Sequence, residues 1–99
     1  MSDMDVIVTK HAYDMGKSRL SLKKNSISNI AKKAFNTGLS HHQAKGSLKK
    51  YVTKLFFKNK KANNIKIYGE NVFIFSNNIL VTLYRIPSDL IKILKVSRK

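Results

Sequence analysis

A few residues in this chain can move protons or hold phosphate without a metal, and they fall near its two ends. His11 follows a short extended segment, and Arg19 comes shortly after it. Thr82, Tyr84 and Arg85 lie together near the C-terminus. Cleaving RNA without a metal needs one group to take the 2′-hydroxyl proton and another to protonate the leaving 5′-oxygen. It also needs cations for the crowded phosphate. His11 and Tyr84 are the acid–base candidates, able to meet at one edge if the first and last strands are neighbours, and Arg19 is the third catalytic candidate. Each has a plainer role beside this one. His11 can be a surface or capping residue, Arg19 can pair with Asp14 across a helical turn, and Tyr84 can be an ordinary strand aromatic.

Other chemistries find little to work with. Metal-dependent nucleases need clustered carboxylates, and the five acids here are dispersed as Asp3, Asp5, Asp14, Glu70 and Asp89. There is no cysteine, so thiol catalysis, disulfide staples and Cys-based zinc sites are excluded. No HExxH, EF-hand loop, P-loop or GxGxxG occurs. His11, His41 and His42 make a poor zinc set, because adjacent histidines rarely reach one ion. The expectation is no metal and no cofactor.

The charge is the strongest signal. Of 99 residues, 20 are Lys or Arg against 5 Asp or Glu, a net charge of +15. No acid occurs between Met15 and Gly69. Such uncompensated charge repels itself in the free protein, and a polyanion relieves it. Nucleic acid is the expected partner, RNA favoured over DNA, by release of counterions from phosphate. Lys45, Lys49, Lys50, Lys54, Lys58, Lys60, Lys61 and Arg85 are the expected phosphate contacts. No apolar run approaches the roughly 18 residues of a membrane span. MSDMDVIV carries acids where a signal peptide needs basic residues, so the expected place is the cytoplasm, with no membrane partner.

These residues need a scaffold. The apolar content is 42%, enough for one modest core, so a single α+β domain over residues 1–99 is expected. Asp5 to Lys10 reads as a strand, with Val6 and Val8 on one face. HAYDMGKSRL reads as a short helix or turn. Ile27, Ile30, Ala31, Ala34 and Phe35 mark one face of a helix, capped by Asn25 or Ser26 and ended by Gly38. Leu48, Tyr51, Val52, Leu55 and Phe56 mark the apolar stripe of another, with Ser47 as its cap and lysines on its other side. After Asn64 the period changes to three strands, joined through Tyr68-Gly69-Glu70-Asn71 and Ser76-Asn77-Asn78. The near-continuous runs Val72 to Phe75 and Ile79 to Leu83 read as central strands. Pro87 stops the last strand, and Ser88 opens a short C-terminal helix. The expected fold is α+β: an N-terminal strand, two amphipathic helices packed on a three- to four-stranded antiparallel sheet, and a short C-terminal helix.

Thr9-Lys10-His11, Arg19-Leu20, the Ile65–Gly69 segment IKIYG, the Val72–Phe75 segment VFIF and the Leu80–Tyr84 segment LVTLY together form a pattern. It resembles small basic proteins encoded in phages and prophages of low-GC Gram-positive bacteria. The layout is also similar to RelE-like toxins and the wider barnase–colicin–RelE nuclease group. That resemblance implies a metal-independent endoribonuclease. His11 and Arg19 would stand for its early helical residues, and Thr82, Tyr84 and Arg85 for its late strand residues. The chain lacks the dense arginine cluster of the ribosome-dependent toxins, which argues against ribosome-dependent cleavage. Three functions follow: a nucleic-acid-binding protein, a RelE-like endoribonuclease, and a phage inhibitor of anti-CRISPR type acting on a host nucleoprotein effector.

Overall fold

A computed structural model describes residues 5–40, 43–44, 46–59 and 62–97, with side chains to residue 92. Strand β1 (Ile7–Val8) runs into helix α1 (Lys10–Leu20) and then α2 (Lys24–Thr37). A two-residue strand β2 (Leu39–Ser40) precedes α3 (Gly46–Lys58). Strands β3 (Asn64–Tyr68), β4 (Asn71–Ser76) and β5 (Ile79–Arg85) follow, and α4 (Ser88–Ser97) closes the order. The class is α+β.

The sheet has five strands and is mixed, wider than the three- to four-stranded antiparallel sheet that the sequence predicts. Its order is β1-β5-β4-β3-β2, with β1 parallel to β5 and the other pairs antiparallel. The meander turns form where Gly69 (φ 63°) and Asn77 (φ 55°) supply left-handed backbone. Asn63 holds the second turn through its side chain: Asn77 N–H donates to Asn63 Oδ1 (2.8 Å), and Asn63 Nδ2 donates to Asn77 Oδ1 (2.9 Å).

Both faces of the sheet are covered. Successive strand residues point to opposite faces, so Val72 and Ile74 join one cluster while Phe73 and Phe75 join the other. Leu48, Val52 and Leu55 of α3 pack with Ile65, Ile67, Val72 and Ile74. Ala12, Ile27, Ala31 and Ala34 of α1 and α2 pack with Phe73, Phe75, Leu80 and Leu83. The apolar runs of β4 and β5 are therefore continuous because each face has its own core. The small residues of α1 and α2 allow close approach. A Cβ on Gly16 would sit 2.6 Å from Ile27 Cδ1.

A bulge tunes β5. Ile74 pairs with Thr82 but Phe75 pairs with Leu80, leaving Val81 as the extra residue. This puts Leu80 and Leu83 on one face despite their odd spacing. Thr9 locks the bulge to α1: its hydroxyl donates to Leu80 O (3.0 Å), with a longer 3.3 Å contact to Val81 O. Thr9 Oγ1 also accepts from Ala12 N–H, capping the helix. The caps expected for the next two helices are displaced. The N-cap of α2 is Lys23, without a side-chain bond, and α3 begins at Gly46 rather than after Ser47. Packing of the apolar stripes outweighs the capping preference there.

Candidate nucleic-acid interface

The short β1 pairs only with Ile79 and Leu80, so β5 beyond Leu80 is an open edge. Ile86 N–H donates to Glu70 O on the inner side. The alternation then turns the carbonyls of Leu83 and Arg85 outward. Side chains meet both. Arg19, near the end of α1, reaches across the edge and donates from Nη1 to Leu83 O (2.9 Å). Tyr51 of α3 makes a long 3.5 Å contact from its hydroxyl to Arg85 O.

This crossing brings the two faces together. The Arg19 guanidinium lies 4.3 Å from the centroid of the Tyr84 ring, a cation–π stack. Lys58 Nζ approaches the same ring at 5.9 Å. Arg85 forms an exposed ion pair with Glu70 at 3.7 Å. Burial raises the Tyr51 phenol above its ordinary value of 10.0, the nearby Tyr84 adds to the rise, and Arg19 opposes it. Tyr51 is therefore a neutral proton donor through the physiological range. The edge thus gathers cations and phenols.

β1 and β5 do pair, but the residues brought together at that edge are Arg19 and Tyr84, in place of the expected meeting of His11 with Tyr84. His11 does not join them. It is exposed in the first turn of α1, while Arg19 sits in the last. Helix α1 follows β5 from Thr9 at Leu80 to Arg19 at Leu83, and at 1.5 Å per residue the two side chains start about 12 Å apart along the axis. Arg19 also makes no ion pair with Asp14. Among the described residues the ion pairs are Lys32–Asp5 and Arg85–Glu70.

The second part of the site is the outward side of α3. Lys49, Lys50, Lys54 and Lys58 are all exposed, and none forms an ion pair among the described residues. Lys45, Lys60 and Lys61 lie outside the described residues, as do His41 and His42. A shallow open concavity on this helix is lined by Gly46, Lys49, Lys50, Thr53, Lys54 and Phe57. Phe57 is 71% exposed. Sequence reasoning missed it, although the signal was present: it falls outside the stripe of Leu48, Tyr51, Val52, Leu55 and Phe56, and it follows Lys50 and Lys54 at helical spacing. Tyr51, on the apolar stripe, packs against the α3-side core and is half-buried.

Among the described residues no three His, Asp or Glu come together as a metal-binding group. No described helix is long and apolar enough to cross a membrane. No family model, curated protein or solved structure matches the chain.

Proposed function

We propose that this protein binds nucleic acid, RNA before DNA, by laying the outward side of α3 along the phosphates. The observation that carries the reading is the group of exposed lysines Lys49, Lys50 and Lys54 on the outward side of α3, with Lys58 on its flank over Tyr84, none with a carboxylate partner among the described residues. Phosphate contacts of this kind set register and affinity and carry no sequence information. Arg19 and Arg85 extend the positive surface around the β5 edge. The expected setting is the cytoplasm, that of a host cell if the chain is phage-encoded, as its resemblances suggest.

Amide chemical-shift mapping with oligouridylate tests the placement. Shifts concentrated on α3 and on residues 83–85 are expected. Shifts confined to α2, or none at saturating oligonucleotide, contradict it.

A second reading is a metal-independent endoribonuclease, favoured by the Arg19–Tyr84 stack beside Tyr51 and Lys58. Arg19 and Lys58 would hold the phosphate, the neutral Tyr51 phenol would donate its proton to the leaving 5′-oxygen, and the base that takes the 2′-hydroxyl proton would have to be an imidazole, His11. His11 would have to serve a substrate that spans α1. Labelled RNA incubated with the protein in EDTA decides it. Cleavage that Tyr84→Phe and Arg19→Gln abolish supports the enzyme. RNA left intact under saturated binding refutes it.

A further inference from the structure

We infer that the outward face of α3 takes single-stranded polynucleotide in preference to duplex, with an unstacked base lying on the ring of Phe57. The inference rests on the nucleic-acid reading above and narrows its ligand class.

Phe57 and Ile7 are the large apolar residues left exposed among the described ones, at 71% and 57%. Their settings differ. Ile7 lies on the edge strand β1. Phe57 lies among cations, sharing one concavity with Lys49, Lys50 and Lys54. Lys50, Lys54 and Phe57 follow one another at helical spacing, so they form one stripe along the axis. From Gly46 to Phe57 this stripe runs about 16 Å, long enough for a few nucleotides. The neighbouring Phe56 ring meets Phe57 edge-on, with centroids 6.2 Å apart and planes at 88°. Phe56 itself packs against the α3-side core. The exposed ring is thus braced from one side.

A protruding aromatic within a cationic track fits a chain whose bases are free to stack on side chains. A duplex keeps its base faces covered, and reaching them costs a few kcal/mol of unstacking. An anionic membrane also attracts a cationic helix, but it needs an apolar face to immerse. The apolar face of α3 is already spent on the core, where Leu48, Val52 and Leu55 are buried. One ring is a platform for a base and a poor anchor for a bilayer.

The chain contains no tryptophan, so Phe57→Trp installs a single reporter at the proposed contact. Oligouridylate, an RNA duplex of equal phosphate number, and phosphatidylglycerol–phosphatidylcholine vesicles are titrated in turn. Oligouridylate is expected to quench the tryptophan and the duplex to leave it bright. Phe57→Ala and Phe57→Leu are each expected to weaken oligouridylate binding by roughly 5- to 150-fold, the range of one lost base stack. Melting temperatures near the parent's will show that the exposed position leaves folding intact. Equal binding of both nucleic acids, without quenching and without loss in Phe57→Ala, overturns this inference and leaves phosphate binding standing. Binding of neither overturns both readings. A vesicle-induced blue shift without quenching by oligouridylate overturns it in favour of a lipid surface.

Discussion

Helices α2 and α3 are near-equals in length, 14 and 13 residues. Each bears lysines and phenylalanine near its end, Phe35 on α2 and Phe56 and Phe57 on α3, and they cover opposite faces of one sheet. They use these residues differently. On α2, Lys32 pairs with Asp5 at 3.2 Å and Lys24 lies 5.0 Å over the Tyr13 ring. Its Phe35 turns in to meet Phe75 edge-on at 5.0 Å. On α3, Lys49, Lys50 and Lys54 face solvent without an ion pair among the described residues, and Phe57 points outward. Composition is shared, and the difference lies in what the fold engages internally. Among the described residues, α2 engages two of its three lysines, Lys24 and Lys32, in a ring contact or ion pair, whereas α3 so engages one of its four, Lys58, and leaves Phe57 exposed.

The comparison breaks first in the core, where the two helices should be equals. Ile27→Ala on α2 and Leu48→Ala on α3 each remove a fully buried side chain. Each is expected to lower unfolding stability by about 2–5 kcal/mol, read from denaturant midpoints. A large asymmetry would mean that one helix is merely docked.

Surface charge should separate them. The double substitution Lys50→Glu and Lys54→Glu is expected to weaken RNA binding by about tenfold or more, from two reversed phosphate contacts. The matched pair Lys24→Glu and Lys33→Glu on α2 should stay within about threefold. Fluorescence anisotropy at fixed salt checks both, and equal losses would erase the distinction drawn between the helices.

A smaller effect lies on the sheet beneath α3. Thr82 pairs across the ladder with Ile74, which belongs to the α3-side core. Its hydroxyl is buried without a hydrogen-bond partner. An unmet buried hydroxyl is destabilising, so Thr82→Val is expected to raise stability by about 1 kcal/mol. A loss instead would assign that hydroxyl a bond worth keeping.

The least effect is alkaline. The phenol of Tyr51 titrates above its ordinary value when folded, so its neutral form is favoured in the native state. The stability this gives is complete below about pH 10, the unfolded value, and is lost as pH rises through the folded one. Thermal melts should show a shallower alkaline decline in Tyr51→Phe than in the parent.

Much of this scaffold is legible in the residues. The 3- and 4-residue spacing of Ile27, Ile30, Ala31, Ala34 and Phe35 marks α2, and the stripe from Leu48 to Phe56 marks α3. Gly69 and Asn77 sit where the turns need left-handed backbone. Strand β2 is not legible, because two residues carry no period and its pairing with Ile67 and Lys66 is set by the sheet. The faces are not legible either. The four consecutive buried residues of β4 require cover on both sides, but nothing local says which helix takes which side. Thr9 was readable as a strand residue and serves as the cap of α1, since its partners Leu80 and Val81 lie at the far end of the chain.

The site follows the same rule. The lysines of α3 are a local pattern and could be read directly. The Arg19–Tyr84 stack depends on α1 lying along the open edge of β5, a tertiary fact that also keeps His11 apart from it.

The salt dependence of binding tests the central claim, that α3 is a phosphate-binding surface. Each phosphate contact on a single strand contributes about 0.7 to the slope of log affinity against log salt. Four lysines on α3 give an expected slope of about −3 or steeper with oligouridylate, reduced by about 1.4 when Lys50 and Lys54 are replaced by glutamate. A flat dependence, or a slope that those two substitutions leave unchanged, would contradict it.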